Sequence, residues 1–261
     1  MTHGEQGSQV PLESARSQFR QLADLIRTDI ERGTYPPGSR LPSEPDLGDR
    51  YGVSRQTVNN AVQILRSEGL VRVDRGVGTI VRELPVITTM RTTRQQERDA
   101  GQARGAFQAE MERLGLNAES DVRIDEVPAP EDVAGHLGIS LGETVLARER
   151  RMTANDIPVQ LATSYLPMDI AAGTQLAEPD TGPGGTYSRL ADLGYAPVSF
   201  IESVRVRLPY DDEFRLLAMD GEQRVITIRR LAQTESGRTV EVNDMVLPAH
   251  QWELRYQWHA K

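Results

Sequence analysis

Cysteine is absent from the 261 residues, which excludes disulfides and thiolate metal sites. Lysine is nearly absent too: of 30 basic residues only Lys261 is not arginine, a bias that fits a GC-rich coding sequence. The four histidines (His3, His136, His250 and His259) show no metal-ligand spacing. No apolar run approaches the ~18 residues of a membrane span, so no membrane partner is expected. Met1 to Val10 is polar and lacks a signal-peptide core, which makes a cytoplasmic protein the expectation. No nucleophile–base pair and no Gly-rich phosphate loop ending in Lys-Ser/Thr is visible. Neither catalysis nor a cofactor is therefore expected.

What is there is unevenly distributed. Net charge is -8, yet residues 1–84 balance 11 arginines against 11 acids, and the acidic excess lies entirely beyond them. From Arg50 to Arg82, six arginines face only Glu68 and Asp74. A locally basic element on an acidic chain suits a phosphate backbone where it meets the duplex, while the acidic remainder discourages sequence-blind binding.

Periodicity predicts a helix over 12–32, with Phe19, Leu22, Ala23, Ile26 and Ile30 on one face. Gly33 stops it, and a Tyr-Pro-Pro-Gly turn follows at 35–38. Ser43 and Ser54 are N-cap candidates for two further helices. The second of these buries Val58, Ala61, Val62 and Leu65. Val71 and Val73 alternate with Arg72 and Asp74 as in a strand; 75–78 is a turn and 79–81 the returning strand. Three helices and a hairpin, with a tight Gly-containing turn before the third helix, make a winged helix-turn-helix.

The stretch 88–105 is polar and reads as a linker. Beyond it strands are predicted at 144–152, 159–166, 200–208, 225–231 and 239–247. Short helices are predicted at 107–114, 130–137, 186–193 and 211–217, and 182–185 is a loop. Residues 131–167 and 212–248 form a faint repeat, offset by 80 residues at Val145/Val225 and Arg150/Arg230 and by 81 at Val159/Val240. Two helix-plus-hairpin units about a pseudo-twofold axis follow from it. The fold class is thus α+β: residues 1–84 a winged helix-turn-helix, 85–105 a linker, 106–261 a mixed domain with a mainly antiparallel sheet.

Leu41-Pro-Ser-Glu44, Tyr51-Gly-Val-Ser-Arg-Gln-Thr-Val58, Leu65-Arg-Ser-Glu-Gly-Leu70 and Arg75-Gly-Val-Gly-Thr-Ile-Val81 together resemble the GntR family of bacterial regulators. The physics agrees, because a helix N-terminus offers free N–H groups to phosphate and its first turn meets base edges in the major groove. Ser54 caps that end, and Arg55, Gln56 and Thr57 sit on the first turn. Asn59 stands where many relatives have arginine, a departure that shifts the expected operator. Arg40 and Ser43 are placed to grip backbone, and Gly76 and Gly78 let the wing tip approach the duplex. A double-stranded DNA operator is the expected partner.

The second half resembles the effector domain of the HutC subfamily, the UTRA domain, which is similar to the chorismate lyase fold. The matching stretches are Arg150 with 158–167, 185–190 with Gly194, Glu202, and Arg230 with 237–241. The resemblance implies a small-molecule effector, often anionic. By position it makes Arg150 and Arg230 the anion-binding candidates, Ser164, Glu202 and Glu241 the hydrogen-bonding ones, and Tyr187 a cover for a ring. Many sugar-phosphate-sensing relatives carry a second arginine where this chain has Met152, which argues against a sugar phosphate and for a less charged or more apolar ligand. Arg148 and Arg151 are expected on the strand face opposite Arg150. The alternative for the charged set is plain cross-strand ion pairing, Arg150 with Glu202 or Arg230 with Glu241. Trp252, Tyr256 and Trp258 read as packing or dimer interface. The resulting expectation is a ligand-responsive repressor acting as a homodimer, since one recognition helix reads too few bases. Catalysis on the lyase-like fold and an effector-free architectural DNA protein are the competing readings.

Overall fold

The structure is a computed structural model that describes residues 13–83, 86–90 and 105–257. The chain divides into two compact units, the first ending at residue 84 and also taking in 220–223. Each is described by itself.

In the first unit, α1 (Glu13–Glu31), α2 (Glu44–Tyr51) and α3 (Arg55–Ser67) precede a hairpin of β1 (Val71–Asp74) and β2 (Gly78–Val81). The apolar stripes predicted for α1 and α3 meet here. Leu22, Ala23 and Ile26 pack with Val58, Ala61, Val62 and Leu65, joined by Leu47 of α2 and Val71 and Val81 of the hairpin. Ile26, Val58 and Leu65 are wholly buried, each contributing roughly 1.5–3 kcal/mol. Both predicted serine caps form: Ser43 Oγ accepts from the Asp46 N–H within a capping box, and Ser54 Oγ accepts from the Thr57 N–H. Gly52 ends α2 at φ 64°, its N–H returning to the Gly48 carbonyl. This left-handed residue makes the tight turn into α3. Arg27 clamps Glu68 with Nε at 3.0 Å and Nη2 at 2.7 Å, tying α1 to the end of α3.

The second unit is built on one six-stranded antiparallel sheet. Its strands are β4 (Ala118–Pro128), β5 (Thr144–Ala154), β6 (Ile157–Pro167), β7 (Ser199–Arg207), β8 (Val225–Gln233) and β9 (Thr239–Pro248), in the order β4-β5-β6-β9-β8-β7. Helices α4 (Ala106–Arg113), α5 (Glu131–Leu137), α6 (Met168–Ala171), α7 (Gly185–Asp192) and α8 (Asp211–Leu216) surround it. β3 (Ile87–Met90) pairs in parallel with the final strand, β10 (Trp252–Arg255).

The internal repeat becomes a pseudo-dyad, each half beginning with an edge strand: β4, which periodicity missed, and β7, predicted at 200–208. The halves are β4-α5-β5-β6 and β7-α8-β8-β9. In the central β6–β9 ladder a shift of 81 residues carries the pair Leu161–Val246 onto Val242–Tyr165, so Thr163 opposite Asp244 lies at the centre. One sheet face is covered by α5 and α8. Val133, Ala134 and Leu137 pack there on Val145 and Val242, while Leu217 and Met219 pack on Val225. Arg229 reinforces this face with bonds to Asp244 (Nε, 2.7 Å) and to Asp132 of α5. The opposite face is left for the cavity described below.

Two expectations change. Within the expected linker 85–105, residues 87–90 are strand, because Ile87 is wholly buried and its backbone pairs with Trp252; residues 91–104 lie outside the described residues. The strand β4 has no counterpart among the predicted strands.

Candidate functional site

The recognition helix α3 presents its N-terminus outward. Arg55 and Gln56 are exposed, Thr57 and Asn59 half-buried. With Ser54 bonded to the Thr57 N–H at 3.2 Å and to its hydroxyl at 2.9 Å, the first-turn N–H groups and the dipole end point away from the core. Glu44, at the start of α2, holds two of these side chains in the DNA-free protein: Arg55 Nε at 2.9 Å and Asn59 Nδ2 at 3.3 Å. Gln56 donates to Asn60 Oδ1 at 2.9 Å. Glu44 was not among the residues expected here, although it closes the quoted Leu41-Pro-Ser-Glu motif.

Ser43 is committed to the α2 cap, its hydroxyl donating to Asp46 Oδ2 at 2.6 Å. Arg40 bridges to Ile80 of β2 and lays its guanidinium over Gly78, where an added Cβ would sit 2.8 Å from Nε. Gly78, at φ 119°, thus makes room for Arg40 within the wing. Gly76, at φ 81° with open space around it, keeps the turn role expected at the wing tip.

In the second unit the open sheet face forms the floor of a cavity of about 1240 Å³. Register puts Val122, Arg150, Met152, Phe200, Glu202, Arg230, Glu241, Asn243 and Met245 on this face, and all of them line the cavity. Residues of α4, the 179–187 loop with the start of α7, Trp252 and Tyr256 complete the lining. Trp252 is fixed by a 2.7 Å bond from Nε1 to the Val159 carbonyl; Trp258 lies outside the described residues.

Of the six expected effector residues, Arg150, Tyr187, Glu202, Arg230 and Glu241 line the cavity. Ser164 is wholly buried beneath it and accepts from Arg150 Nη2 at 2.6 Å. Within the expected effector set the ion pair that forms is Arg230 with Glu202 (Nη2–Oε1 2.7 Å), a pairing outside both alternatives considered. Burial alone would lower the Arg230 pKa, but Tyr187 and Glu202 outweigh it and the net shift is upward. Burial raises the Tyr187 hydroxyl, with Glu241 adding to the effect, so it stays a protonated donor. Its ring packs on Phe200, centroids 5.3 Å apart, and both residues line the cavity.

The expectation that Arg148 points away from Arg150 is wrong. Residues two apart on a strand share a face, and both arginines line the cavity. Arg151 does point away, donating from Nε to the Leu216 carbonyl. Arg148 is nevertheless occupied: it donates to the carbonyls of Leu176, Glu178 and Pro179 at 2.5, 2.5 and 3.1 Å. Burial pushes its pKa down to about 10, with the Arg150 charge adding to the effect. Arg148, Gln160 and Asn243 are cavity residues that sequence reasoning missed; for Arg148 the two-residue spacing was the available signal.

Comparison with known proteins agrees with both halves of this description. Residues 18–81 match the model of the bacterial regulatory proteins of the gntR family, and residues 108–252 match the UTRA domain. The chain is 32% identical over 232 residues to the HTH-type transcriptional regulator SCO4628 of Streptomyces coelicolor, covering 85% of this chain and 86% of that protein. It is 29% identical over 241 residues to the HTH-type transcriptional regulator Rv0792c of Mycobacterium tuberculosis, covering 91% and 83%. The crystal structure of PhnF from Mycobacterium smegmatis shares the fold, with a TM-score of 0.59 at 23% identity over 92% of this chain and 99% of that one. A DNA-reading winged helix-turn-helix followed by a UTRA effector domain is the architecture of the HutC-like subfamily, and the chain belongs to the GntR family of bacterial transcription regulators.

Proposed function

We propose that this regulator is a repressor that binds a near-palindromic operator as a homodimer and is released when a small molecule enters the UTRA cavity. The observation that carries the reading is the exposed, capped N-terminus of α3, with Arg55 and Gln56 turned to solvent. Arginine there can read guanine through O6 and N7. Arg40, Ser43, Ser54, Thr57, Asn59, Gly76 and Gly78 complete the proposed interface, Ser43 and Ser54 through the helix ends they cap. Two heads about one helical turn apart supply the specificity that one lacks. Supporting the sign of regulation, a Bacillus subtilis relative 24% identical to the chain is named the transcriptional repressor NagR. Release is a population shift: the effector favours a head spacing that no longer matches the operator. The relatives are transcription regulators, so the cavity is read as a binding site and not as a catalytic one.

The test is a fluorescence-anisotropy titration of the DNA upstream of the protein's own gene against scrambled DNA at two salt concentrations. Binding at least ~10³-fold tighter than the control, lost in Arg55→Ala, is expected. Equal affinity for both probes, together with no preferred site in a genome-wide fragment selection, overturns the reading.

A further inference from the structure

Two arginines occupy pseudo-symmetric places on the cavity floor, and only one has a carboxylate. Glu202 stands opposite Arg230. The equivalent place opposite Arg150 is held by Val122. Arg150 donates only to neutral groups, Ser164 Oγ at 2.6 Å and Asn243 Oδ1 at 3.5 Å, and its Nε has no hydrogen-bond partner. Neighbouring Arg148 is spent on three carbonyls, and Met152 on the other side is apolar. The floor therefore carries two guanidiniums bonded only to neutral groups, Arg148 through both of its Nη atoms and Arg150 through Nη2 alone. Glu241, 1% exposed, lines the same floor, and its Oε2 has no hydrogen-bond partner. A buried carboxylate oxygen left unmatched is costly, as is a buried guanidinium N–H. A ligand matching only the arginine leaves the carboxylate oxygen unmet and brings a like charge toward it.

Resting on the reading of this cavity as the effector site, we infer that the effector is a small monocarboxylic acid that also carries an N–H or O–H donor. It is an amino or hydroxy acid with its acid group on Arg150 and its donor on Glu241 Oε2. With Arg230 matched by Glu202, the charges of Arg148, Arg150 and Glu241 leave one net positive charge on this floor, which a monocarboxylate balances and a phosphate dianion exceeds.

The test is thermal-shift and calorimetric titration of the full chain with four matched sets: L-amino acids, the corresponding 2-hydroxy acids, the donor-free acids of the same skeleton, and glucose 6-phosphate. At least one amino or hydroxy acid raises Tm, and its donor-free counterpart binds about tenfold more weakly or worse. Glu241→Gln removes that discrimination, and Arg150→Gln weakens both members of the pair. Response to amino acids alone makes the donor an ammonium, and response to hydroxy acids alone makes it a hydroxyl; each supports the inference. If Glu241→Gln does not fold, the matched acids on the wild-type chain still decide. Donor-free acids or glucose 6-phosphate binding as tightly as the donor-bearing acids, or no shift from any amino or hydroxy acid, overturns it. Operator binding is measured on the same preparation without additives. Its failure defeats the repressor reading and leaves the thermal-shift result standing, and the converse also holds.

Discussion

Arg230 and Glu202 are partners across β8 and β7, with side chains 16% and 14% exposed. A guanidinium enclosed this far depends on the carboxylate that faces it. Glu202→Gln keeps the shape and removes the charge, leaving Arg230 beside Tyr187 and Phe200. We expect a loss of about 3 kcal/mol in urea unfolding, and a change below about 0.5 kcal/mol would show that the pair adds nothing to stability. The two wing glycines separate by the same kind of reasoning. Gly78→Ala places a Cβ against the Arg40 guanidinium at a positive φ, so it displaces Arg40 and weakens operator binding. Gly76→Ala meets open space and pays only the left-handed backbone cost of about 1–2 kcal/mol. Anisotropy on both variants checks this; equal affinities would remove Arg40 from the interface.

At the scale of elements, α8 is held to the end of β7 by a two-pronged contact. Arg207 Nη1 and Nη2 each meet a Glu213 oxygen at 2.6 Å, and Glu213 Oε2 also accepts from the Tyr210 N–H at 2.8 Å. Burial pushes the Glu213 pKa up, but the Arg207 and Tyr210 bonds outweigh it and hold it below the ordinary 4.5. A carboxylate with a lowered folded pKa stabilises above its unfolded value and loses that contribution as pH falls through the folded one. Glu213→Gln therefore lowers Tm at pH 7, and its gap from wild type narrows as pH drops below about 4.5. A gap independent of pH would assign the effect to packing. Elements also differ in how readable they were. α2 and α3 carry their own caps, and β5, β6, β8 and β9 bury enough apolar residues to alternate visibly. The edge strand β4 carries Glu119, Asp121, Arg123, Asp125 and Glu126 and has no fully buried residue, so its charge-rich composition hides the short Val122/Ile124 alternation. β3 and β10 are four residues each and exist through pairing with one another, information no local window contains.

For the whole molecule, the proposed homodimer makes a direct prediction. Sedimentation of the protein with its operator duplex gives a complex holding two 29.0 kDa chains, while a half-site duplex binds far more weakly because one head reads too few bases. A one-chain complex with full affinity would defeat the dimer. The amino-acid sequence by itself determined the helix-turn-helix, its caps and exposed first turn, and the repeat in the second unit, since helix capping and apolar period are set within a few residues. Only the tertiary structure decided which charges meet. Strand register brings Glu202 to Arg230 and Val122 to Arg150, and residues from all six strands onto one cavity floor. Such pairings depend on long-range ladders in which a slip of one residue sends every side chain to the other face.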